Sequence, residues 1–184
     1  MSNESIRTRV LDAIGDAEIA ALSEILTDCV EGGASVSFML PMTSGKADQF
    51  WRRVAAGAAR GERKVIVADS GGEIVGTVQL ILDLPENQPH RGDVAKMLVH
   101  RKARGRGVGA ALLAAAEACA LACGRTLLVL DTVTDSDGYR LYSRHGWIRC
   151  GEIPKYALWP AGGFCPTTYF YKFLGEEKRK TSDE

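Results

Sequence analysis

The chain has 184 residues, of which 46% are hydrophobic and 25% are charged. These are ordinary values for a globular protein, and they exclude a wholly disordered chain, a collagen-like repeat and a coiled coil. Lysine plus arginine and aspartate plus glutamate both number 23, so the formal net charge is +0. That balance favours neither a nucleic acid nor an anionic membrane as a partner.

The sequence shows no segment of the kind that directs a chain into a membrane. The first ten residues lack the apolar core of a signal peptide. The longest apolar stretch, Val108 to Cys123, is too short to span a bilayer. The 5 cysteines include no CxxC pair, and the 3 histidines are scattered without metal-ligand spacing. We therefore expect a cytoplasmic protein that binds no metal.

The apolar pattern predicts the secondary-structure elements in chain order. A first strand is expected within residues 5–14, and helical spacing predicts helices over 16–31 and 47–59. Two apolar runs around a glycine-rich turn at 69–72 predict a β-hairpin over 64–82. The later strands are expected at 93–100, 126–130, 147–153 and 167–174. Two further helices are expected, one ending near residue 123 and one covering 138–145.

These elements predict an α/β fold with a central mixed, mostly antiparallel sheet flanked by helices. One strand–loop–helix–strand crossover joins two parallel neighbours, and it is expected to be right-handed. We expect a single domain over residues 1–175. Residues 176–184 are charged and polar, and we expect them to form a disordered tail.

A glycine-rich loop at residues 104–110 is the most informative stretch of the sequence. Gly105, Gly107 and Gly109 remove side chains where the chain turns into a helix. Unpaired N–H groups at the positive end of a helix form a site for a phosphate-bearing ligand. Five cations are expected to crowd this helix start, namely Lys96, Arg101, Lys102, Arg104 and Arg106.

Two known phosphate-binding motifs have partial matches in the sequence. A P-loop is excluded, because Lys46 is followed by Ala47 rather than by serine or threonine. The pattern Gly105-x-Gly107-x-x-Ala110 also fits a dinucleotide fingerprint. An NAD(P)-binding domain therefore stays open as an alternative, although the sequence predicts a single crossover where such a domain needs several.

Two motifs resemble those of the GNAT acyltransferase superfamily. The arrangement Arg104-x-x-Gly107-x-Gly109 after Met97-Leu98-Val99 resembles its acetyl-CoA loop, and Leu141–Trp147 resembles its Leu-Tyr-x-x-x-Gly-aromatic segment. The resemblance implies a sheet whose parallel strands splay apart at the acetyl-CoA site. Four shorter segments are similar to the tabtoxin-resistance type of acetyltransferase, namely 32–36, 103–107, 130–132 and 151–154.

The resemblance also implies a role for each matching residue. Leu98 and Val99 would offer main-chain groups to the pantetheine arm. Tyr142 would protonate the departing thiolate, since a phenol with a pKa of about 10 keeps its proton near neutrality. Asp131, expected at the end of its strand, would accept the amine proton or bind the ammonium. The residues expected to hold the pyrophosphate are Arg104, Gly105, Arg106, Gly107, Val108, Gly109 and Ala110.

The resemblance thus implies an acetyltransferase that uses acetyl-CoA, and we expect it to need no metal. The expected acceptor is the primary amine of a small, amino-acid-like molecule, which attacks the thioester directly. Residues 31–42 and 154–166 are expected to wall the acceptor pocket. Neither nucleic acid nor membrane is an expected partner, and the protein is expected to be a monomer or a homodimer. The alternative from another class is a non-catalytic module that binds acyl-CoA.

Overall fold

The computed structural model describes residues 5–175 and contains one seven-stranded sheet with helices on both faces. The helices are α1 (Asp16–Glu31), α2 (Ser44–Ala59), α3 (Val108–Ala122) and α4 (Asp137–Arg144), and a 3₁₀ turn covers Arg101–Ala103. The strands are β1 (Arg7–Val10), β2 (Arg63–Ser70), β3 (Glu73–Ile81), β4 (Arg91–Val99), β5 (Leu127–Val133), β6 (Ile148–Leu158) and β7 (Phe164–Phe173).

The order of strands across the sheet is β1-β2-β3-β4-β5-β7-β6. Within the described sheet, β4 and β5 are the single parallel pair, and all other neighbours run antiparallel. This confirms the predicted mixed, mostly antiparallel sheet. It also shows that the NAD(P)-binding alternative is wrong, because a dinucleotide domain is built from several parallel crossovers.

Two apolar clusters cover the opposite faces of the sheet. Alternate residues of β2 divide between them, because successive side chains of a strand point to opposite faces. Ile66 joins the cluster under α3 and α4, which includes Leu112. Val65 joins the cluster under α1 and α2, which includes the fully buried Trp51. Helices therefore anchor the sheet from both sides.

β4 contains a bulge at residues 96–97. Two residues of β4 oppose Val78 of β3 there, so the register shifts by one residue. The extra residue changes the alternation of side chains, and Val94 and Met97 pack against the same apolar cluster although three positions separate them. Lys96 has a φ of 51°, in the left-handed region that a lysine rarely adopts.

β4 and β5 are paired at one end and apart at the other. Residues 91–93 of β4 face residues 127–129 of β5. Beyond them, within the described sheet, residues 94–99 of β4 have no partner in β5, although β5 keeps its pairing with β7 on its other edge as far as Val133. The two strands therefore splay apart as predicted, and a gap opens between their C-terminal ends.

β5 is longer than the sequence predicts. It ends at Val133, because residues 131–133 continue to pair with residues 167–169 of β7. Asp131 therefore lies inside the strand, and its predicted position at the strand's end is wrong. β6 likewise extends beyond the predicted residue 153 to Leu158. The tail predicted at 176–184 lies outside the described residues.

α3 approaches the sheet closely at Gly76 of β3. A Cβ atom at this position would lie 2.9 Å from Val108 Cγ1 and 3.0 Å from Leu112 Cδ1. Both distances are shorter than carbon atoms tolerate, so the missing side chain is what allows this approach. Since Val108 is the first residue of α3, the contact also positions the glycine-rich loop that precedes it.

We predict that Gly76→Ala lowers the free energy of unfolding by about 1–3 kcal/mol, the usual cost of overpacking a core. Gly45→Ala is the matched control, because Gly45 lies in α2 with nothing within 4 Å of a Cβ. That change should raise stability by about 0.5–1 kcal/mol, since alanine favours a helix. Chemical denaturation of both variants measures the effects. An unaltered stability of Gly76→Ala would contradict the close approach of α3.

Candidate active site

The glycine-rich loop enters α3 without a capping side chain. Gly107 is the N-cap, with a φ of 82°, and Gly105 has a φ of 74°. Both values lie in the left-handed region, where glycine avoids the strain of a side chain. A Cβ at either position would meet nothing within 4 Å, so the space before the helix is open. The N–H groups of residues 108–110 have no acceptor within the helix and suit an anion.

Gly109 serves a different purpose from the other two glycines. A Cβ at this position would lie 3.2 Å from Leu141 Cδ2. Leu141 belongs to α4, so the absence of a side chain lets α4 pack closely against the first turn of α3. That packing brings Tyr142, the next residue of α4, near the gap between β4 and β5.

Two of the expected cations are already paired within the protein. Asp28 accepts hydrogen bonds at 2.8 Å from both the backbone N–H and the Nε of Arg101. Lys102 forms an ion pair with Glu73 at 2.9 Å. Their charges are compensated, so the expected cluster of five cations at the helix start does not form. Arg101 instead anchors the loop to α1.

Arg104 and Arg106 are exposed and have no acidic partner among the described residues. Arg106 Nη2 donates to Ser70 Oγ at 2.9 Å. The backbone N–H of Arg104 donates to the Arg101 carbonyl at 3.3 Å. Because that donor is engaged, the main-chain donors of the loop that remain for a ligand begin one residue later than predicted.

The open edge of β4 presents main-chain groups at alternate residues. The N–H of His100 donates to the Val75 carbonyl at 3.0 Å. In an antiparallel ladder this bond turns both main-chain groups of Val99 away from β3 and both of Leu98 toward it. Leu98 therefore pairs within the sheet, contrary to its predicted role, and Val99 faces the gap.

The carbonyl of Val99 already has two donors. Arg104 Nε donates to it at 3.2 Å, and the Cys29 thiol donates at 3.5 Å. A carbonyl has two lone pairs, so both are used. The N–H of Val99 is the group of this residue that remains directed into the gap.

Tyr142 is 4% exposed and lies beside the gap on α4. Its ring packs against Trp147 and Phe170, with centroid distances of 5.6 and 6.1 Å. Burial raises the pKa of its hydroxyl well above the ordinary value, and the negative charge of Asp131 adds to the shift. The phenol therefore keeps its proton and suits a proton donor rather than a base.

Asp131 lies on the exposed side of β5, where Oδ2 accepts a hydrogen bond from Thr167 Oγ1 at 2.8 Å. Its charge acts on the pKa of Tyr142, of Lys96 and of Asp93. The fold thus brings the two predicted catalytic residues, Asp131 and Tyr142, into one neighbourhood. Thr167 could not be found from the sequence, because its contact depends on the register between β5 and β7.

Lys96 takes a position that the sequence does not indicate. Its Nζ donates to Ser37 Oγ at 2.9 Å, on the side of the sheet that carries α1 and α2. Burial lowers the pKa of Lys96, and the charge of Asp131 opposes that shift. Proximity in the sequence groups Lys96 with the phosphate loop. The bulge in β4 turns its side chain toward Asp131 instead.

The two segments expected to wall an acceptor pocket touch each other. Ser35 Oγ, in the loop after α1, donates to the Leu158 carbonyl at 2.9 Å. The Cys165 thiol contacts the same hydroxyl at 3.4 Å. These bonds hold the loop after α1 against the connection between β6 and β7, on the side of the gap where Thr167 and Asp131 lie.

The gap between β4 and β5 connects two ends of different chemistry. At one end the N-terminus of α3 suits a phosphate, and at the other a neutral phenol and a carboxylate suit proton transfer. Within residues 5–175, His, Cys, Asp and Glu side chains form no group of three that could hold a metal ion. Over the same range, every helix is too short or too polar to cross a membrane.

The chain is similar to known proteins in one segment of its sequence and in its fold. Residues 61–149 match the family described as an acetyltransferase (GNAT) domain. The yncA protein of Salmonella typhimurium, solved with its cofactor acetyl-CoA, has a TM-score of 0.75 and 18% identity, covering 97% of this chain and 99% of that one.

Two further solved structures share the fold. Ribosomal-protein-alanine N-acetyltransferase from Brucella melitensis has a TM-score of 0.73 and 22% identity, covering 92% of this chain and 99% of that one. A protein assigned as a phosphinothricin N-acetyltransferase has a TM-score of 0.74 and 18% identity, covering 94% of this chain and 100% of that one. At these identities the likeness is one of fold.

Asp28 offers a test of how the loop before α3 is held. Burial alone would raise the pKa of this carboxyl, but the hydrogen bonds from Arg101 outweigh it and lower the pKa below the ordinary value. The ionised form therefore stabilises the folded protein. That contribution is present above about pH 4, the ordinary pKa, and is lost as the pH falls through the lower folded-state pKa.

We predict that Asp28→Asn lowers the free energy of unfolding at pH 7 by about 1–3 kcal/mol, because two charge-assisted hydrogen bonds are weakened. The difference between wild type and variant should narrow as the pH falls below about 4. Chemical denaturation of both proteins over a pH series measures it. A difference that stays constant over that range would show that the charge of Asp28 does not hold the loop.

Proposed function

We propose that this chain, whose residues 61–149 match the family described as an acetyltransferase (GNAT) domain, is an acyltransferase that transfers the acetyl group of acetyl-CoA to the primary amine of a small, amino-acid-like molecule. One observation carries the proposal. The gap between the splayed strands β4 and β5 has the uncapped N-terminus of α3 at one end. Asp131 and Tyr142 lie at the other end.

The residues along the gap fit a molecule with a pyrophosphate and an extended amide-bearing arm. The N–H groups of residues 105–110 would bind the pyrophosphate in the open space before α3. Arg104 and Arg106 add positive charge there. The N–H of Val99 points into the gap and would donate to an amide of the arm, as an edge strand does to an added peptide. Acetyl-CoA supplies the acetyl thioester.

The proton donor and the proton acceptor of the transfer are separate residues. The acceptor enters as an ammonium, and Asp131 takes one proton from it and passes that proton to solvent. The amine nitrogen then forms a bond to the thioester carbon, and the carbon–sulfur bond breaks. Tyr142 gives its proton to the departing sulfur and regains one from the product nitrogen. The balance is one amide, one free thiol and one released proton.

The proposed acceptor class has two supports besides the resemblance to the tabtoxin-resistance type. The carboxylate of Asp131 would bind an ammonium, and the Ser35–Leu158 contact joins the two segments expected to wall the acceptor pocket. A protein assigned as a phosphinothricin N-acetyltransferase shares the fold. The enzyme from Brucella melitensis is named for the alanine of a ribosomal protein, so a protein amine is the competing acceptor.

A free-thiol assay with acetyl-CoA tests the proposal. The acceptors are the common L-amino acids, simple alkylamines and a short peptide with an N-terminal alanine, and mass spectrometry identifies the acetylated product. We expect thiol release that depends on a small amine. Turnover of the peptide alone would refute the small acceptor. Binding of acetyl-CoA without any amine-dependent thiol release would instead favour a non-catalytic acyl-CoA-binding module.

We predict that Gly107→Glu weakens acetyl-CoA binding at least tenfold, because a carboxylate would occupy the pyrophosphate position. The change also strains the backbone, at a cost of about 1–2 kcal/mol. Gly61→Glu is the matched control, since Gly61 has a φ of 78° and nothing within 4 Å of a Cβ. Calorimetry should show equal thermal destabilisation of the two variants but weakened acetyl-CoA binding in Gly107→Glu alone. Equal affinities would remove the loop from the site.

We predict that Tyr142→Phe reduces turnover by roughly 10²-fold, the lower range for loss of a general acid. The ring and its packing are kept, so acetyl-CoA affinity should hold. Tyr139→Phe is the control, because Tyr139 lies on the same helix and packs edge-on against Phe170 at 5.3 Å. Initial rates and calorimetry measure both variants. Wild-type rates in Tyr142→Phe would assign this tyrosine to packing.

A further inference from the structure

The charged side chains near Asp131 leave one cation and one anion without an ionic partner. Arg91 and Asp93 form an ion pair at 2.5 Å and compensate each other. Among the described residues, Lys96 forms no ion pair, and its hydrogen-bond acceptor is the neutral Ser37 hydroxyl. Asp131 likewise forms no ion pair there and accepts from the neutral Thr167 hydroxyl. The gap between β4 and β5 therefore offers an ammonium and a carboxylate that form no ion pair within residues 5–175.

The backbone holds Lys96 and Ser37 in strained conformations. Lys96 has a φ of 51° and Ser37 a φ of 76°, both in the left-handed region. Glycine would avoid the strain at either position, but the chain has a lysine and a serine there. The two side chains form a hydrogen bond, in which Lys96 Nζ donates to Ser37 Oγ at 2.9 Å. Such conformations of residues other than glycine cluster at binding and catalytic sites, where the surrounding structure holds a side chain in one position.

The surroundings of Lys96 leave its ammonium short of partners. An ammonium has three N–H donors, and Ser37 takes one of them. A half-buried cation is costly unless an anion or further acceptors approach it. The lowered pKa of Lys96, caused by burial, reflects that cost. An anionic group brought into the gap by a ligand would supply the missing partner.

We propose that Lys96 and Asp131 form a subsite for a zwitterionic acceptor. Asp131 binds the ammonium that becomes acetylated, and Lys96 Nζ binds the α-carboxylate of the same molecule. This inference rests on the proposed function and narrows its acceptor class to free α-amino acids and their close analogues. Lys96 determines specificity here and takes no part in the proton transfers.

The test compares each common L-amino acid with its carboxamide, which keeps the amine and removes the negative charge. Wild type should show a higher kcat/KM for the acids. Lys96→Gln should lower kcat/KM for the acids by about 10- to 100-fold, the range expected for a hydrogen bond between charged groups. It should lower kcat/KM for the carboxamides much less, so the preference for acids collapses.

Three controls support the comparison. Lys96→Arg should restore part of the preference, because the positive charge returns. Asp131→Asn should weaken acids and carboxamides alike, because both carry the amine. Calorimetry of the CoA-bound protein with the best amino acid measures binding without turnover, and it should show weaker binding for Lys96→Gln. Acetyl-CoA affinity and melting temperature report whether each variant folds.

Each result separates this inference from the function on which it rests. Equal losses for acids and carboxamides in Lys96→Gln would place Lys96 in the chemistry and overturn the subsite. Equal use of acids and carboxamides by wild type would also overturn it, while leaving amine acetylation intact. Failure of wild type to acetylate any amine would overturn the proposed function itself, and the subsite with it.

Discussion

The loss of pairing between β4 and β5 beyond residue 93 is the constraint on which the rest of the site depends. Two paired strands leave no space between their main chains, and their N–H and C=O groups satisfy each other. The bulge at residues 96–97 of β4 lies in the stretch that has left β5, while β5 continues beside β7. The N–H of Val99 is thereby left facing a gap, and Tyr142 and Asp131 come together beside it.

Electrostatics at the two ends of the gap arise in different ways. At the glycine-rich loop, ion pairs to Asp28 and Glu73 compensate Arg101 and Lys102. The positive potential there comes from Arg104 and Arg106, together with the uncapped start of α3. At the other end, charge resides in single side chains that form no ion pair within residues 5–175. The first end suits an anionic group, and the second end suits proton transfer.

Local sequence patterns account for the helices, the hairpin and the loop that could be predicted. The spacing of Ile19, Leu22 and Ile25 predicts α1, and all three are buried. The turn at residues 69–72 between apolar runs predicts the β2–β3 hairpin, which the structure contains. The glycines before α3 are equally local, because left-handed φ values at Gly105 and Gly107 are properties of single residues. These features arise within a few residues of chain, so sequence alone determined them.

Only the tertiary structure decided the features that depend on register. The bulge that redirects the side chain of Lys96 arises from how β4 pairs with β3. No residue type within β4 indicates this bulge in the sequence. The alternation that gives Leu98 to the sheet and Val99 to the gap depends on the same register. Asp131 lies inside β5 because the partner strand, more than thirty positions later, continues beside it. Register is set by the packing of distant segments against each other, and the linear order of residues carries no local signal of that packing.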